Sequence, residues 1–186
     1  MNGIKIRGMG RCVPERVVTN ADLAERVDTS DEWITSRTGI RRRRHCAAET
    51  HSSLCAGAAR AALERAGVLP EEIGACVVAT VTADNLVPSA ACTLQRELGL
   101  PGDIPCFDLS AACTGFLFAL HTVECLLNAS PRKFALVVGA ETLSRVTNWD
   151  DRGTCILFGD GAGAAVVECR EGWPSISAEL GCHGDD

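Results

Sequence analysis

The stretch "PCFDLSAACTGFLFAL" (residues 105–120) places an apolar run, a turn of small residues and a helix-forming segment next to one another. The run at 105–110 predicts a buried strand, and the pattern over 112–128 predicts a long helix. Cys113 lies at the junction between the two. In α/β proteins, reactive side chains collect where the carboxyl end of a strand turns into a helix. The junction is therefore the first candidate for a functional site.

The rest of the chain alternates in the same way. We predict further strands at 3–8, 75–82, 133–141 and, after a glycine turn, within 155–168. We predict further helices at 20–27, 30–39, 52–66 and 88–98, with Asn20 and Ser30 as N-caps. The alternation predicts right-handed crossovers and a mixed, mostly parallel sheet covered by helices. The expected fold class is α/β.

Composition excludes several classes of protein. The chain has 186 residues, 46% of them hydrophobic and 23% charged, which suits one soluble domain. The net charge of −6 argues against a nucleic-acid partner, because phosphate contacts need a basic surface. The most apolar long window, 113–129, contains His121 and Glu124, so we predict no membrane span. The N-terminus lacks the apolar core of a signal peptide, and we expect a cytoplasmic protein.

The eleven cysteines do not suggest a disulfide framework, because their number is odd and no secretion signal precedes them. No CxxC pair is present, so we expect neither a structural zinc site nor any other metal. Four cysteines lie among apolar residues and are interpreted as small buried hydrophobes: Cys76, Cys92, Cys125 and Cys155.

The position of Cys113 favours a nucleophile. The partial positive charge of a helix N-terminus favours the thiolate over the thiol, and free backbone N–H groups there can receive a developing oxyanion. The small residues Ala111, Ala112 and Gly115 leave the sulfur accessible to an acyl group. The arrangement follows the logic of a nucleophile elbow with cysteine in place of serine. The alternative is that Cys113 is one more buried small residue.

Five motifs decide between these alternatives: "VDTSDEWITSRTGIRRR", "VPSAAC", "DLSAACTGF", "ALVVGAETLSR" and "DRGTCILFGDGAGAAV". Their order and spacing resemble β-ketoacyl-acyl-carrier-protein synthase III over essentially residues 1–186. The resemblance implies the thiolase-like fold, in which two similar α/β halves form a five-layered αβαβα sandwich. It also implies that Cys113 accepts an acyl group from acyl-CoA, which then condenses with malonyl-acyl carrier protein. The CoA thioester is a substrate, so no cofactor is expected.

The resemblance also assigns a CoA site. It places Trp33, Arg37 and Arg152 along the CoA channel, with Thr29 nearby. An indole can stack on adenine and a guanidinium can pair with phosphate. The alternatives are a partly buried hydrophobe for Trp33 and a solvated loop residue for Arg152. At Val87 the family often has a bulky aromatic residue that reaches across the dimer interface into the acyl pocket. Valine predicts room for a larger or branched starter.

Other polar motifs have simpler interpretations. The run Arg41–Arg44 could steer acidic acyl carrier protein, but we expect at least Arg43 and Arg44 to be solvated. "GDGAG" (159–163) lacks the Lys-Ser/Thr ending of a phosphate loop and is interpreted as a tight turn. All four histidines are poor candidates for a general base: His45, His51, His121 and His183.

The resemblance is incomplete in one respect. The family's catalytic triad is Cys-His-Asn, with the His and Asn in a second half that residues 1–186 do not match. Residues 1–186 therefore correspond to the N-terminal half domain, and we expect that this chain alone cannot complete condensation. The chain could be a fragment, or a separate polypeptide could supply the second half. The expected partners are the acyl-CoA starter, malonyl-acyl carrier protein and either a second copy of the chain or the missing half.

Three further hypotheses stay open. The chain could be a non-catalytic half-subunit that serves as an interaction partner, and selective acylation of Cys113 would distinguish this from the enzyme. It could belong to a polyketide-starter or HMG-CoA-synthase-like enzyme, although "RTGI" and "GDGAGAAV" favour the type III synthase. A cysteine hydrolase ranks last, because no histidine partner is evident.

Overall fold

The continuous apolar runs of the sequence form the centre of a five-stranded sheet in the computed structural model, which describes residues 1–184. The strands of this sheet are β1 (Gly3–Cys12), β4 (Ile73–Ala79), β5 (Cys106–Leu109), β6 (Phe134–Thr142) and β7 (Asp160–Arg170), in the order β1-β7-β6-β4-β5. β4 is parallel to both β5 and β6, whereas β7 is antiparallel to β6 and β1. The predicted α/β class with a mixed, mostly parallel sheet is confirmed.

Helices cover both faces of this sheet. The helices are α1 (Asn20–Ala24), α2 (Asp31–Thr38), α3 (His51–Ala66), α4 (Ala90–Leu98), α5 (Gly115–Asn128) and α6 (Arg152–Cys155). Alternate residues of β4 point to opposite sides: Cys76 packs with α3 and α4, and Val77 packs with α5. Within residues 1–184, no helix combines the length and the apolarity that crossing a membrane requires.

Hydrogen bonds from side chains start these helices. Ser30 accepts the Trp33 N–H at 3.1 Å and caps α2 as predicted, and Gly39 ends α2 with a φ of 73°. The predicted N-cap of α1 is wrong by one residue. Thr19 is the cap and forms a capping box with Asp22, whereas Asn20 is buried. Asn20 instead donates hydrogen bonds to Asp31 Oδ1 and the Ile40 carbonyl.

Two glycines of β1 allow α3 to pack directly on the sheet. A Cβ on Gly10 would lie 2.0 Å from the Ala58 carbonyl oxygen, and one on Gly8 would lie 2.4 Å from the Ala66 nitrogen. α3 faces these glycines with small residues at four-residue intervals: Ala58, Ala62 and Ala66. Only hydrogen at these strand positions permits such a close backbone approach.

A short two-stranded ribbon beside the main sheet was not predicted. It consists of β2 (Val17–Thr19) and β3 (Arg42–Arg44), which pair antiparallel. The prediction that Arg43 is solvated is wrong: its guanidinium is buried and donates to Asn20 Oδ1 at 2.8 Å and to the Ile156 carbonyl at 2.7 Å. Arg44 is exposed, and its Nη1 donates to the carbonyls of Pro14 and Glu15. Arg43 therefore joins the ribbon to the segment after α6.

Two smaller predictions are also wrong. The "GDGAG" stretch is not a turn, because Gly161 and Gly163 lie inside β7, where they pair with β6. Cys125 on α5 is exposed rather than buried. Cys76 and Cys155 are buried as expected, and Cys92 is half-buried.

The Glu49 carboxylate holds the loop before α3. We therefore expect the protein to lose stability in acid. Its carboxylate accepts the N–H groups of Ala47 and Glu15 at 2.9 and 2.8 Å. Backbone hydrogen bonds, led by that of Ala47, lower the pKa of Glu49 to about 2. Because the pKa is lower in the folded state, the stabilisation is complete above the ordinary value of 4.5 and is lost as pH falls through about 2.

We expect Glu49→Gln to lower the urea midpoint of unfolding at pH 7, with the difference from the wild type shrinking as pH falls from 5 to about 2. Urea unfolding at several pH values measures it. Glu71→Gln is the control, since Glu71 is exposed and accepts no hydrogen bond within residues 1–184. A difference that stays constant with pH would show that the charge of Glu49 contributes nothing.

Candidate active site

Cys113 lies on a strained turn between β5 and α5. β5 ends at Leu109, a 3₁₀ turn covers Ala112–Thr114, and α5 begins at Gly115. Ala112 has a φ of 44° and is the single non-glycine residue with positive φ among residues 1–184. A left-handed alanine costs about 1–2 kcal/mol, and such strain is concentrated at functional turns. Cys113 is exposed. A nucleophile has to be exposed, whereas a small buried residue would not be.

The strand before Cys113 is fixed by a carboxylate that sequence analysis missed. Asp108 on β5 accepts the N–H groups of Ala90 and Ala91 at 2.7 and 2.8 Å, so it caps the first turn of α4 together with Ser89. Its only sequence signal is an acidic residue in an otherwise apolar strand. The hydrogen bonds hold β5 against α4 and thereby set the position at which the chain turns toward Cys113.

A hydrogen bond and a close backbone contact hold the turn in place. The Thr114 hydroxyl donates to the Ala111 carbonyl at 3.0 Å. A Cβ on Gly115 would lie 3.2 Å from the Ala79 side chain, so glycine lets the start of α5 approach the carboxyl end of β4. The N–H groups of Thr114 and Gly115 donate to the carbonyls of Ala111 and Ala112, so an oxyanion beside the sulfur has to be bound by other N–H groups of the turn.

No histidine within residues 1–184 forms a hydrogen bond with Cys113. His51 is buried, with its Nε2 2.9 Å from Thr80 Oγ1 and 3.1 Å from the Ala140 carbonyl oxygen. His45 is buried with its Nε2 3.3 Å from the Phe158 carbonyl oxygen. His121 on α5 is 3.8 Å from the buried Glu124 carboxylate. The described residues therefore supply a candidate nucleophile without a candidate base.

A second half-buried carboxylate organises the loop after β4. Glu141, at the end of β6, accepts the Val81 N–H at 2.9 Å and the hydroxyl of Thr82. The loop therefore folds over the carboxyl ends of β4 and β6, on the same side of the sheet as Cys113. A cavity of about 290 Å³ lies there, between the loop residues Val81 and Leu86 and the end of β5 at Ser110.

The loop also displays apolar side chains. Val87 is 86% exposed and Leu86 is 99% exposed. Leu117, on the first turn of α5, is 60% exposed. β5 is an edge strand, with β4 as its sole partner within residues 1–184. Apolar residues and an unpaired strand edge are features of a surface that another chain or domain covers.

The residues expected to hold CoA lie together around Trp33. The guanidinium carbons of Arg37 and Arg152 are 4.4 and 4.6 Å from the centre of the Trp33 indole. Arg37 follows Trp33 by one turn of α2, and Arg152 opens α6, with its Nη1 donating to the Asp28 carbonyl at 2.9 Å. Trp33 is half-buried, and the two exposed arginines place two positive charges against its ring.

Two details of this cluster bear on ligand binding. Thr29 Oγ1 is buried and has no hydrogen-bond partner within residues 1–184, so it is free to bond a ligand. For a planar base to stack between Trp33 and Arg152, the indole and the guanidinium must be about 7 Å apart, which is twice the ~3.5 Å separation of two stacked planar groups. The observed 4.6 Å is too short, so Arg152 must move before a base can stack there.

Comparison with known proteins gives a consistent result. The family model described as 3-oxoacyl-[acyl-carrier-protein (ACP)] synthase III matches residues 107–184. The β-ketoacyl-[acyl-carrier-protein] synthase III of Clostridium acetobutylicum is 50% identical over 184 residues, which is 99% of this chain and 56% of that protein. That of Erythrobacter litoralis is 54% identical over 168 residues, which is 90% of this chain and 52% of that protein.

Solved structures agree. The 3-oxoacyl-[acyl-carrier-protein] synthase III from Aquifex aeolicus superposes with a TM-score of 0.87 at 47% identity, covering 91% of this chain and 55% of that chain. The priming β-ketosynthase of the R1128 polyketide pathway superposes with a TM-score of 0.87 at 39% identity, covering 92% and 52%. This chain spans about half the length of the curated relatives it matches.

Proposed function

Because this chain belongs to the β-ketoacyl-acyl-carrier-protein synthase III family and has its thiolase-like fold, we propose that it forms the acyl-accepting half of a condensing enzyme. The observation that carries the proposal is the exposed Cys113 on a strained turn at the start of α5. Residues 1–186 would then be one half domain. A His and an Asn from a second half would complete the catalytic triad.

The first step of the proposed reaction is acyl transfer. The Cys113 thiolate attacks the thioester carbon of acyl-CoA, and backbone N–H groups beside the sulfur bind the resulting oxyanion. The carbon–sulfur bond to CoA breaks, CoA leaves as a thiolate that takes up a proton, and Cys113 keeps the acyl group. No cofactor takes part in this step, since the thioester itself supplies the activated acyl group.

The second step is condensation. Malonyl-acyl carrier protein loses CO₂, and the carbanion attacks the carbonyl carbon of the Cys113 thioester. A carbon–carbon bond forms, the Cys113 thiolate leaves, and a β-ketoacyl-acyl carrier protein is released. We assign this step to the complete enzyme, because it requires the triad residues that the described chain does not present to Cys113. The proposed setting is the cytoplasm, at the start of fatty-acid or polyketide synthesis.

The assignment of acyl transfer to this chain and of condensation to the complete enzyme is tested with the purified chain, acetyl-CoA and malonyl-acyl carrier protein. We expect acyl transfer to Cys113 without formation of β-ketoacyl-acyl carrier protein. Chromatography of the carrier protein followed by mass spectrometry separates the two outcomes. Measurable β-ketoacyl product would show that this chain needs no second half. Absence of acyl transfer would favour the non-catalytic half-subunit.

Trp33 and Arg152 are proposed to hold the adenine of CoA, with Arg37 pairing with phosphate. We expect Trp33→Ala to weaken CoA binding by about 10- to 100-fold, because the stacking and cation–π contacts are lost together. Calorimetric titration with CoA measures it. Trp173→Ala is the matched control, since Trp173 also lies against cations, Lys5 and Arg170, but follows the end of β7, whereas Arg152 precedes the start of that strand. Equal weakening by both variants would remove Trp33 from the site.

Val87 is proposed to widen the acyl pocket. Its side chain is exposed within this chain, beside the edge strand β5, which supports a homodimer in which the residue reaches the partner's pocket. We expect a preference for branched over acetyl starters, and we expect Val87→Phe to lower the branched-to-acetyl rate ratio about tenfold or more. Rates of acyl transfer from isobutyryl-CoA and acetyl-CoA measure it, with Leu69→Phe as control, since Leu69 is exposed before the start of β4 and does not line the cavity. A wild-type enzyme that uses acetyl-CoA equally well would contradict the assignment.

A further inference from the structure

A polar cleft of about 260 Å³ lies apart from Cys113, where the β2–β3 ribbon meets α1 and the segment before α6. Three segments that are distant in sequence contribute to it: 16–26, 45–46 and 144–149. The polar and aromatic residues that line it are Arg16, Asp22, Arg26, His45, Ser144 and Trp149. None of them takes part in the acyl-transfer chemistry proposed above.

The guanidinium groups of this cleft have no direct partners. Those of Arg16 and Arg26 form no hydrogen bond or ion pair within residues 1–184, and Arg26 lies over Trp149 at 4.9 Å from the ring centre.

Two carboxylates lie near these cations. Asp22 accepts the backbone N–H and hydroxyl of Thr19 at 2.7 and 2.8 Å, and Asp160, behind the cleft, accepts hydrogen bonds from Cys46 and Ser144. Both carboxylates stay charged, since the hydrogen bonds from Thr19 lower the pKa of Asp22 and, although burial acts in the opposite direction, hydrogen bonds also lower the pKa of Asp160. Their oxygens already accept other hydrogen bonds, so the two guanidinium groups remain available to an anion.

His45 contributes a hydrogen-bond acceptor to the cleft, whereas the two guanidinium groups are donors. It is 5% exposed, and its ring lies edge-on to Trp149 at 5.2 Å. Its Nε2 faces the Phe158 carbonyl, which can only accept, so Nε2 carries the hydrogen and Nδ1 has a free lone pair. Burial lowers the pKa of His45 below its usual value, even though the hydrogen bond to the Phe158 carbonyl and the Asp160 carboxylate act in the opposite direction, so the neutral ring predominates at pH 7.

A ligand that satisfies these groups must accept hydrogen bonds from two guanidinium groups and donate one to an imidazole nitrogen. A carboxylate can only accept at neutral pH. A phosphate group meets both needs, since its second proton dissociates with a pKa near 6 and the singly protonated form both accepts and donates. The Trp149 ring gives the cleft an apolar wall for the body of a phosphate ester.

We propose that this cleft is a binding site for a phosphate group, held by Arg16 and Arg26 with His45 as hydrogen-bond acceptor. Two sources have this chemistry. One is free phosphate or a small phosphate ester. The other is the ribose phosphate of CoA, because Arg26 also lines a neighbouring cavity of about 350 Å³ together with Asp28 and Arg152. The site goes beyond the proposed acyl transfer and does not depend on Cys113.

The experiment titrates the purified chain with inorganic phosphate, followed by calorimetry and by ³¹P line broadening. We expect saturable binding with a Kd on the order of 1 mM, as for a few charge-assisted hydrogen bonds. Arg16→Gln and Arg26→Gln are each expected to weaken it at least about fivefold. Arg96→Gln is the control, since Arg96 is an exposed arginine on α4 and does not line the cleft. Circular dichroism checks that each variant is folded.

Competition with CoA distinguishes the two sources. If the phosphate belongs to CoA, inorganic phosphate competes with CoA for binding. Removal of the 3′-phosphate from CoA and the Arg26→Gln substitution then weaken CoA binding by the same factor. If it belongs to a separate molecule, phosphate and CoA bind together. Absence of saturable phosphate binding, or equal binding by all variants, would overturn the proposal. Acylation of Cys113 would be unaffected by that failure, because the phosphate titration involves no thiol chemistry.

Discussion

In a Cys113→Ala chain, release of CoA from acetyl-CoA is expected to fall by at least about 10³-fold, because the nucleophile of the acyl-transfer step is absent. No neighbouring thiol can replace it, since Cys113 alone among the eleven cysteines lies on the turn between β5 and α5. Chromatographic measurement of free CoA over time gives the rate directly, without interference from the other protein thiols.

The control for this prediction is Cys125→Ala. Cys125 is also exposed and lies on the same helix, three turns further along α5. It lacks the strained turn and the free N–H groups of a helix start, so its replacement is expected to leave CoA release unchanged. Equal losses in the two variants would indicate damage to α5 rather than removal of a nucleophile.

Gly10→Ala is expected to destabilise the fold by about 3 kcal/mol or more, because the new methyl group meets backbone atoms rather than side chains. The Cβ would lie 2.0 Å from the Ala58 carbonyl oxygen and 2.5 Å from the Ala62 nitrogen. Neither atom can move without lifting α3 from β1. Urea unfolding measures the change in the free energy of unfolding.

Gly163→Ala is the matched control. Gly163 lies in the neighbouring strand β7, paired with Arg11, and a Cβ there would meet no atom within 4 Å. We expect this variant to be as stable as the wild type or slightly more so, since alanine restricts the unfolded chain. Similar losses in both variants would show that the contact between β1 and α3 is not rigid.

The parts of the fold that sequence reasoning predicted correctly are those with a strong local signal. The apolar run of β4 is buried along its whole length, and Ser30 and Gly39 bound α2. The turn at Cys113 was predicted because an apolar strand, small residues and a helix pattern follow one another without interruption. Each of these signals is contained in fewer than twenty consecutive residues.

The parts that were missed depend on contacts between distant segments. Arg43 is buried because its partners, Asn20 and the Ile156 carbonyl, meet it only in the folded chain. β2 and β3 are three residues each and have no alternating pattern to reveal them. Thr19 displaced Asn20 as the α1 cap because Asp22 completes a capping box with it. The phosphate cleft combines three segments and had no sequence motif of its own.

The cluster around Trp33 that is proposed to hold CoA was only partly predictable from local sequence patterns. Trp33 and Arg37 are one helical turn apart, so their contact follows from α2 alone. Arg152 reaches the same indole from a segment more than a hundred residues away, and the family resemblance rather than a local pattern placed it there. The closed arrangement of Arg152 over Trp33 was visible only in the structure.

The central claim is that Cys113 accepts an acyl group from acyl-CoA. Intact mass spectrometry of the chain after incubation with acetyl-CoA and isobutyryl-CoA, followed by peptide mapping, tests it most directly. We predict one acyl group per chain, located on Cys113, absent from Cys113→Ala and formed faster from isobutyryl-CoA. An unmodified chain, or equal labelling of the Cys113→Ala variant, would contradict the claim.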